Sequence, residues 1–147
     1  MRRLMLILIA LGILGTGAVG CSGDPDEKAI RAIIEAMRTS AEMKRFPETL
    51  IPIAPEYRDN YNQRRDQLLD RLNRTFVEYD RLVIKAHVEK LDHTAAIAVA
   101  LMKLKITGLA GNQREFVFGN PLAGKKVELD FEKRQGRWWV TGSEIER

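Results

Sequence analysis

The chain has one cysteine in 147 residues, Cys21, which excludes an intrachain disulfide and any zinc site built from several thiolates. Only two histidines occur, His87 and His93, and neither stands at metal-ligand spacing from another ligating residue. The HExxH, GxSxG and Walker patterns are missing, so no cofactor and no metal is expected. Repeats and low-complexity tracts are also lacking, and the length suits one domain. A strong charge excess is missing too: the formal net charge is +4, and Arg2 and Arg3 carry two of those charges. Without them, 22 basic side chains face 20 acidic ones. The doublets Arg64-Arg65 and Lys125-Lys126 stand apart and are followed by Asp66, Asp70 and Glu128. Both read as solvated surface, and no nucleic-acid partner is expected.

What is present begins with an export-type leader. Arg2-Arg3 are followed by the apolar run Leu4 to Leu14, then by the small residues Gly15 to Gly20 and by Cys21. The run is short for a membrane span and has the layout of a signal peptide. An uncleaved anchor and an ordinary secretory signal are the other readings of residues 4–20. Ala18-Val19-Gly20-Cys21 resembles the bacterial lipobox, with Ala18 where Leu is more usual. The resemblance implies cleavage before Cys21, lipid on its sulfur and acylation of the freed amine. Residues 1–20 are then a signal peptide, 21–25 a lipidated cysteine with a short tether, and 26–147 the folded domain. The membrane, through lipid on Cys21, is the expected partner, and the location is extracytoplasmic. Ser22 in place of Asp implies, by the same resemblance, the periplasmic side of an outer membrane if the cell is Gram-negative.

Asp24-Pro25-Asp26-Glu27 is a helix start, with Asp24 as cap, Pro25 at the first helical position and Glu27 at capping-box spacing. Ile30, Ile33, Ile34, Met37 and Ala41 keep helical spacing, which predicts a helix over 25–44 with one buried face. Pro47, Pro52 and Pro55 predict a loop. A second helix is expected from Pro55, with Tyr57, Tyr61, Leu68, Leu72 and Phe76 as its stripe.

From Leu82 the period becomes two. Ile84, Ala86 and Val88 alternate with Lys85, His87 and Glu89, a turn is expected at Asp92-His93, and 94–107 reads as a long second strand. A two-residue turn would set Val88 opposite Ile97, Ala86 opposite Val99 and Ile84 opposite Leu101. Beyond Leu101 the apolar set moves to Met102, Leu104 and Ile106, so a bulge or bend is expected near Leu101–Met102. Short strands follow at 114–118, 125–133 and 137–145. The last pair opposes Phe131 to Val140 and Lys133 to Trp138 across the Gln135-Gly136 turn. The fold class is therefore α+β: two N-terminal helices packed on a bent four-stranded antiparallel sheet, preceded by the signal peptide.

The stretches Asp92-His93-Thr94-Ala95-Ala96-Ile97 and Lys133-Arg134-Gln135-Gly136-Arg137-Trp138-Trp139-Val140 resemble the hairpins of nuclear transport factor two-like proteins. That resemblance implies a cone, a curled sheet wrapped around helices, often with a pocket. A cystatin-like or other helix-on-sheet domain is the alternative. Enzymes of the superfamily place a carboxylate, Tyr or His inside the cone, and here helix one offers neither Tyr nor His. Asp130 alternates away from Leu129 and Phe131 toward solvent. The candidate ligand or partner contacts are Tyr57, Tyr61, His87 and Trp139, the last facing away from a core Trp138. The expected function is a lipid-anchored, non-catalytic envelope module that binds a protein, a peptide or a small apolar ligand. The alternative is an isomerase- or dehydratase-like enzyme using Tyr57, Tyr61 or His87.

Overall fold

The structure is a computed structural model that describes residues 23–119 and 122–146. The expected signal peptide, residues 1–20, and Cys21 lie outside the described residues. Helix α1 spans Pro25–Glu42, and Asp24 caps it by accepting the Asp26 amide at 2.8 Å. Glu27 pairs with Arg31, one turn on, at 2.8 Å. A short helix α2, Phe46–Thr49, follows with Pro47 in its first turn.

The expected second helix starts ten residues late. Ile53–Asp59 is a strand, β1, and the helix α3 is Arg65–Phe76. The reason is local. Ile53, Tyr57 and Asp59 are buried in alternation with exposed Glu56 and Arg58, which is a strand pattern. Pro55, which lacks an N–H, is tolerated because β1 is an edge strand paired only with the last strand. Asp59 then closes the turn into α3: its Oδ1 accepts the amides of Tyr61 and Gln63 at 2.9 and 2.8 Å.

The sheet has six strands rather than four. β2 (Arg81–His93), β3 (Ile97–Ala110), β4 (Gln113–Phe118), β5 (Lys125–Arg134) and β6 (Arg137–Ile145) join β1 in the order β1-β6-β5-β3-β2, with β4 on β3. β1 runs parallel to β6 and the other pairs are antiparallel. β3 is the spine: β2 follows its whole length, β5 pairs with its first half, and β4 pairs with its second. Gly119 allows the crossing from β4 to β5. Its φ is +86°, and a Cβ there would lie 2.6 Å from the Leu104 carbonyl oxygen.

The β2–β3 register differs from the sequence expectation. The strand continues through His93, the turn is Thr94–Ala96, and Val88, Ala86 and Ile84 stand opposite Met102, Leu104 and Ile106. Thr94 Oγ1 accepts the amides of Ala96 and Ile97 and fixes that wider turn. The inward set of β3 is one parity throughout: Ala98, Ala100, Met102, Leu104 and Ile106. Ile97 and Val99 are on the outer face, 58% and 36% exposed. The register does shift opposite Leu101–Met102, but the extra residue is Glu89 in β2. Two small alanines on the inner face, beside larger apolar residues on the outer one, mimic a change of face where none exists. The β5–β6 pairing is as expected, with Phe131 opposite Val140 and Lys133 opposite Trp138.

The main core joins α1 (Ile30, Ile34) to the concave face of the sheet through Ala100, Met102, Phe131, Trp138 and Val140. A second cluster, Phe46, Phe76, Tyr79, Leu82 and Ile84, closes the α2–α3 end.

Candidate functional site

Between α1, α3 and the concave face the core is not filled. A cavity of about 300 Å³ lies there, walled by apolar side chains including Met37, Leu72, Leu104, Val127, Leu129 and Val140. A second, almost wholly apolar space of about 170 Å³ shares Met37, Leu104, Ile106, Val127 and Leu129 with it, so the two adjoin as neighbouring lobes. Arg71 and Thr75 of α3 line the larger lobe and are exposed, so it opens to solvent along α3.

Polar groups gather at one part of this wall: Tyr57 and Asp59 from β1, Ser143 from β6 and Arg71 from α3. The Tyr57 hydroxyl and Ser143 Oγ are 2.6 Å apart. Burial pushes the Tyr57 hydroxyl above its ordinary pKa. The Ser143 bond opposes this, nearby Asp59 adds to it, and Arg71 pulls it back. Asp59 is 9% exposed, with one oxygen committed to the Tyr61 and Gln63 amides. Arg71 donates to the Gln63 side chain at 2.7 Å, and among the described residues no carboxylate pairs with it. The wall thus offers a hydroxyl pair, a turn-bound carboxylate and a guanidinium above an apolar interior. It can hold an apolar body and hydrogen-bond one polar end.

Of the four contact candidates named from sequence, only Tyr57 lines this cavity. Tyr61 is 49% exposed in the β1–α3 turn. His87 is exposed on the outer face of the sheet, opposite Lys103. Trp139 is half-buried on that outer face, with the Arg137 guanidinium 4.1 Å from its ring centre. Asp59, Arg71 and Ser143 escaped the sequence reading. Tyr57-x-Asp59 would have shown the first of them, because residues two apart share a face on a strand but not on a helix.

At the far end of the sheet, Asp24 and Asp26 of α1 meet His93 of β2. Asp24 Oδ2 is 3.1 Å from His93 Nε2, and Asp26 Oδ1 accepts from Lys133 Nζ at 2.7 Å and Trp138 Nε1 at 3.0 Å. The Lys133 bond, then the Trp138 bond, hold the Asp26 carboxyl below its ordinary range. These groups satisfy one another and tie the first turn of α1 to the core.

No known protein family matches the sequence, and no curated protein resembles it. The fold does have solved counterparts. A protein from Nostoc punctiforme described as having a cystatin-like fold superposes with a TM-score of 0.66 at 12% identity, over 84% of this chain and 92% of that one. A candidate scytalone dehydratase from Novosphingobium aromaticivorans gives 0.67 at 11%, over 82% and 83%. An NTF2-like protein from Pseudomonas putida gives 0.61 at 14%, over 82% and 85%. At such identities the likeness defines the fold and no more. The chain has the cystatin-like, nuclear transport factor two-like α+β fold: a six-stranded sheet curled over helices.

Proposed function

We propose that the domain is a non-catalytic binding module that takes a small, largely apolar molecule into the cone and is held at the cell envelope by lipid on Cys21. The observation that carries the ligand reading is the two-lobed apolar interior with polar groups at one part of its wall. Catalysis is the weaker reading because the carboxylate in the wall already serves the Asp59 turn. An isomerase- or dehydratase-like enzyme draws support from Tyr57 and Asp59 sharing the cavity, and from the fold's occurrence in a candidate dehydratase.

Leu129 lines both lobes, so Leu129→Phe should fill the space that a ligand needs. The neutral probe N-phenyl-1-naphthylamine should bind the wild type with enhanced fluorescence, and the variant at least tenfold more weakly at an unchanged melting temperature. Equal uptake by the two proteins would remove the cavity from the argument. Tyr57→Phe should leave probe binding intact, since the probe's body is apolar.

The anchor rests on the lipobox-like sequence, and its test is separate. Cys21→Ser should abolish incorporation of labelled fatty acid and release the domain from the membrane fraction, because acyl chains supply the membrane affinity. Labelling that survives the substitution would end the lipoprotein reading.

A further inference from the structure

On the outer face of the sheet, basic side chains from three strands stand directly opposite one another. Lys85 pairs with Lys105 and His87 with Lys103 across β2 and β3, and Lys103 pairs with Lys126 across β3 and β5. Like charges opposed in this way destabilise a sheet. Two carboxylates flank them: the bulged Glu89, which meets Lys103 Nζ at 2.6 Å, and Glu146, whose amide donates to the Lys126 carbonyl just beyond β6. The Lys103 bond, with the charges of Lys126 and His87, holds the Glu89 carboxyl below its ordinary range, so these groups converge on one spot. The other acids of this face begin in the next row and run toward its far end. Glu128, Asp130 and Glu132 stand opposite the apolar Leu101, Val99 and Ile97. A sheet shaped by stability alone would interleave the two signs.

We propose that Lys85, Lys103, Lys105 and Lys126, with His87, form a binding site for a linear phosphate polymer. The two rows of basic side chains are two residues apart along the strands, about 7 Å, and the longer row crosses three strands, about 10 Å. Several phosphates of one chain fit that area, whereas a single phosphate would engage only part of it. Lysines present point charges rather than the planar fork that reads a fixed oxygen geometry, so the site recognises repeated charge. Phe116 beside the cluster has Lys105 Nζ 5.0 Å from its ring centre, and one ring is not the succession of stacking platforms that a nucleic-acid strand uses. A flat bilayer fits less well, because the acidic half of the same face would be pressed against it. The first turn of α1, tied by Asp24 to His93 opposite Ala98, also lies at that acidic end. The cluster is some 20 Å further along β3, at a rise of about 3.3 Å per residue.

The full chain in detergent should bind inorganic polyphosphate, with log K falling linearly against log salt. The triple variant Lys85→Gln/Lys103→Gln/Lys126→Gln should bind at least tenfold more weakly. Its salt slope should be shallower by about one for each lysine removed. It should melt at the same temperature or higher, since opposed like charges are gone, which separates lost binding from lost folding. Glu89→Gln should bind more tightly than the wild type. N-phenyl-1-naphthylamine binding should be equal in all of these proteins, so the result stands apart from the cavity reading. The proposal is overturned by a wild type that ignores polyphosphate, or by a triple variant that binds as well as the wild type. It is equally overturned if an oligonucleotide of matched charge binds more tightly, or if anionic phospholipid vesicles compete polyphosphate off.

Discussion

Trp138→Ala should cost about 3–5 kcal/mol, the usual range for truncating a buried aromatic ring, whereas Trp139→Ala should cost about 1 kcal/mol or less. The two are adjacent in sequence and differ only in the face they take. Trp138 is 2% exposed and packs in the main core beside Phe131 and Val140. Its indole N–H donates to Asp26, whose carboxylate also holds Lys133, so the ring links α1 to the β5–β6 hairpin. Removing it opens a cavity and takes one donor from Asp26, both destabilising. Trp139 lies on the outer face against Arg137, where an alanine leaves no void. A domain of this size holds about 5–15 kcal/mol in all, so the difference is large against the whole. Urea denaturation of the two single variants measures it. Equal large losses would mean that the outer face is covered in solution, and a reversed order would mean that β6 is in the other register.

That β6 register was legible in the sequence because the Gln135-Gly136 turn is short and both flanking strands alternate cleanly. The β2–β3 hairpin was not, for a definite reason. Its inner face begins with Ala98 and Ala100 while its outer face begins with Ile97 and Val99, so hydrophobicity at that end points the wrong way. Packing decides the matter: Ala98 and Ala100 are buried in the main core with Ile30 and Ile34 of α1. Only the wider turn at Thr94, with its hydroxyl accepting two amides, carries a local signal of the true register.

The cavity was legible only in part. Tyr57 was singled out, but on a helix, where Tyr61 would have been its neighbour. On a strand its partner is Asp59, and α3 and β6, far away in sequence, supply Arg71 and Ser143. The basic cluster was hidden for a similar reason. Lys125-Lys126 reads as an isolated doublet, yet alternation sends only Lys126 to the outer face, where Lys103 and His87 join it across neighbouring strands. Charge balance along the chain, 22 against 20 without Arg2 and Arg3, says nothing about how the two signs are sorted over a sheet.

Gly108→Ala should destabilise the fold by about 1–3 kcal/mol, the cost typical of forcing an extra carbon into a packed core. Gly108 lies on β3 between Leu82 of β2 and Glu115 of β4, and the Tyr79 ring covers it. A Cβ at this position would lie 2.3–2.5 Å from three atoms of that ring, including the ring carbon nearest its backbone. The ring has little room to yield. Tyr79 is 8% exposed, its hydroxyl donates to Glu115 at 2.8 Å, and its carbonyl accepts from Lys44 at 2.6 Å. That bond to Glu115, the direct cross-strand partner of Gly108, lays the ring across the strand where the glycine leaves space. It also keeps the hydroxyl protonated to a higher pH than usual. A double-mutant cycle isolates the clash. Tyr79→Ala alone should be costly, but adding Gly108→Ala to it should cost little more, because the ring that the new methyl would strike is gone. Strictly additive losses in urea denaturation would show that the glycine is required by its backbone conformation instead. The cavity should keep its apolar probe in Gly108→Ala, since neither Gly108 nor Tyr79 lines it.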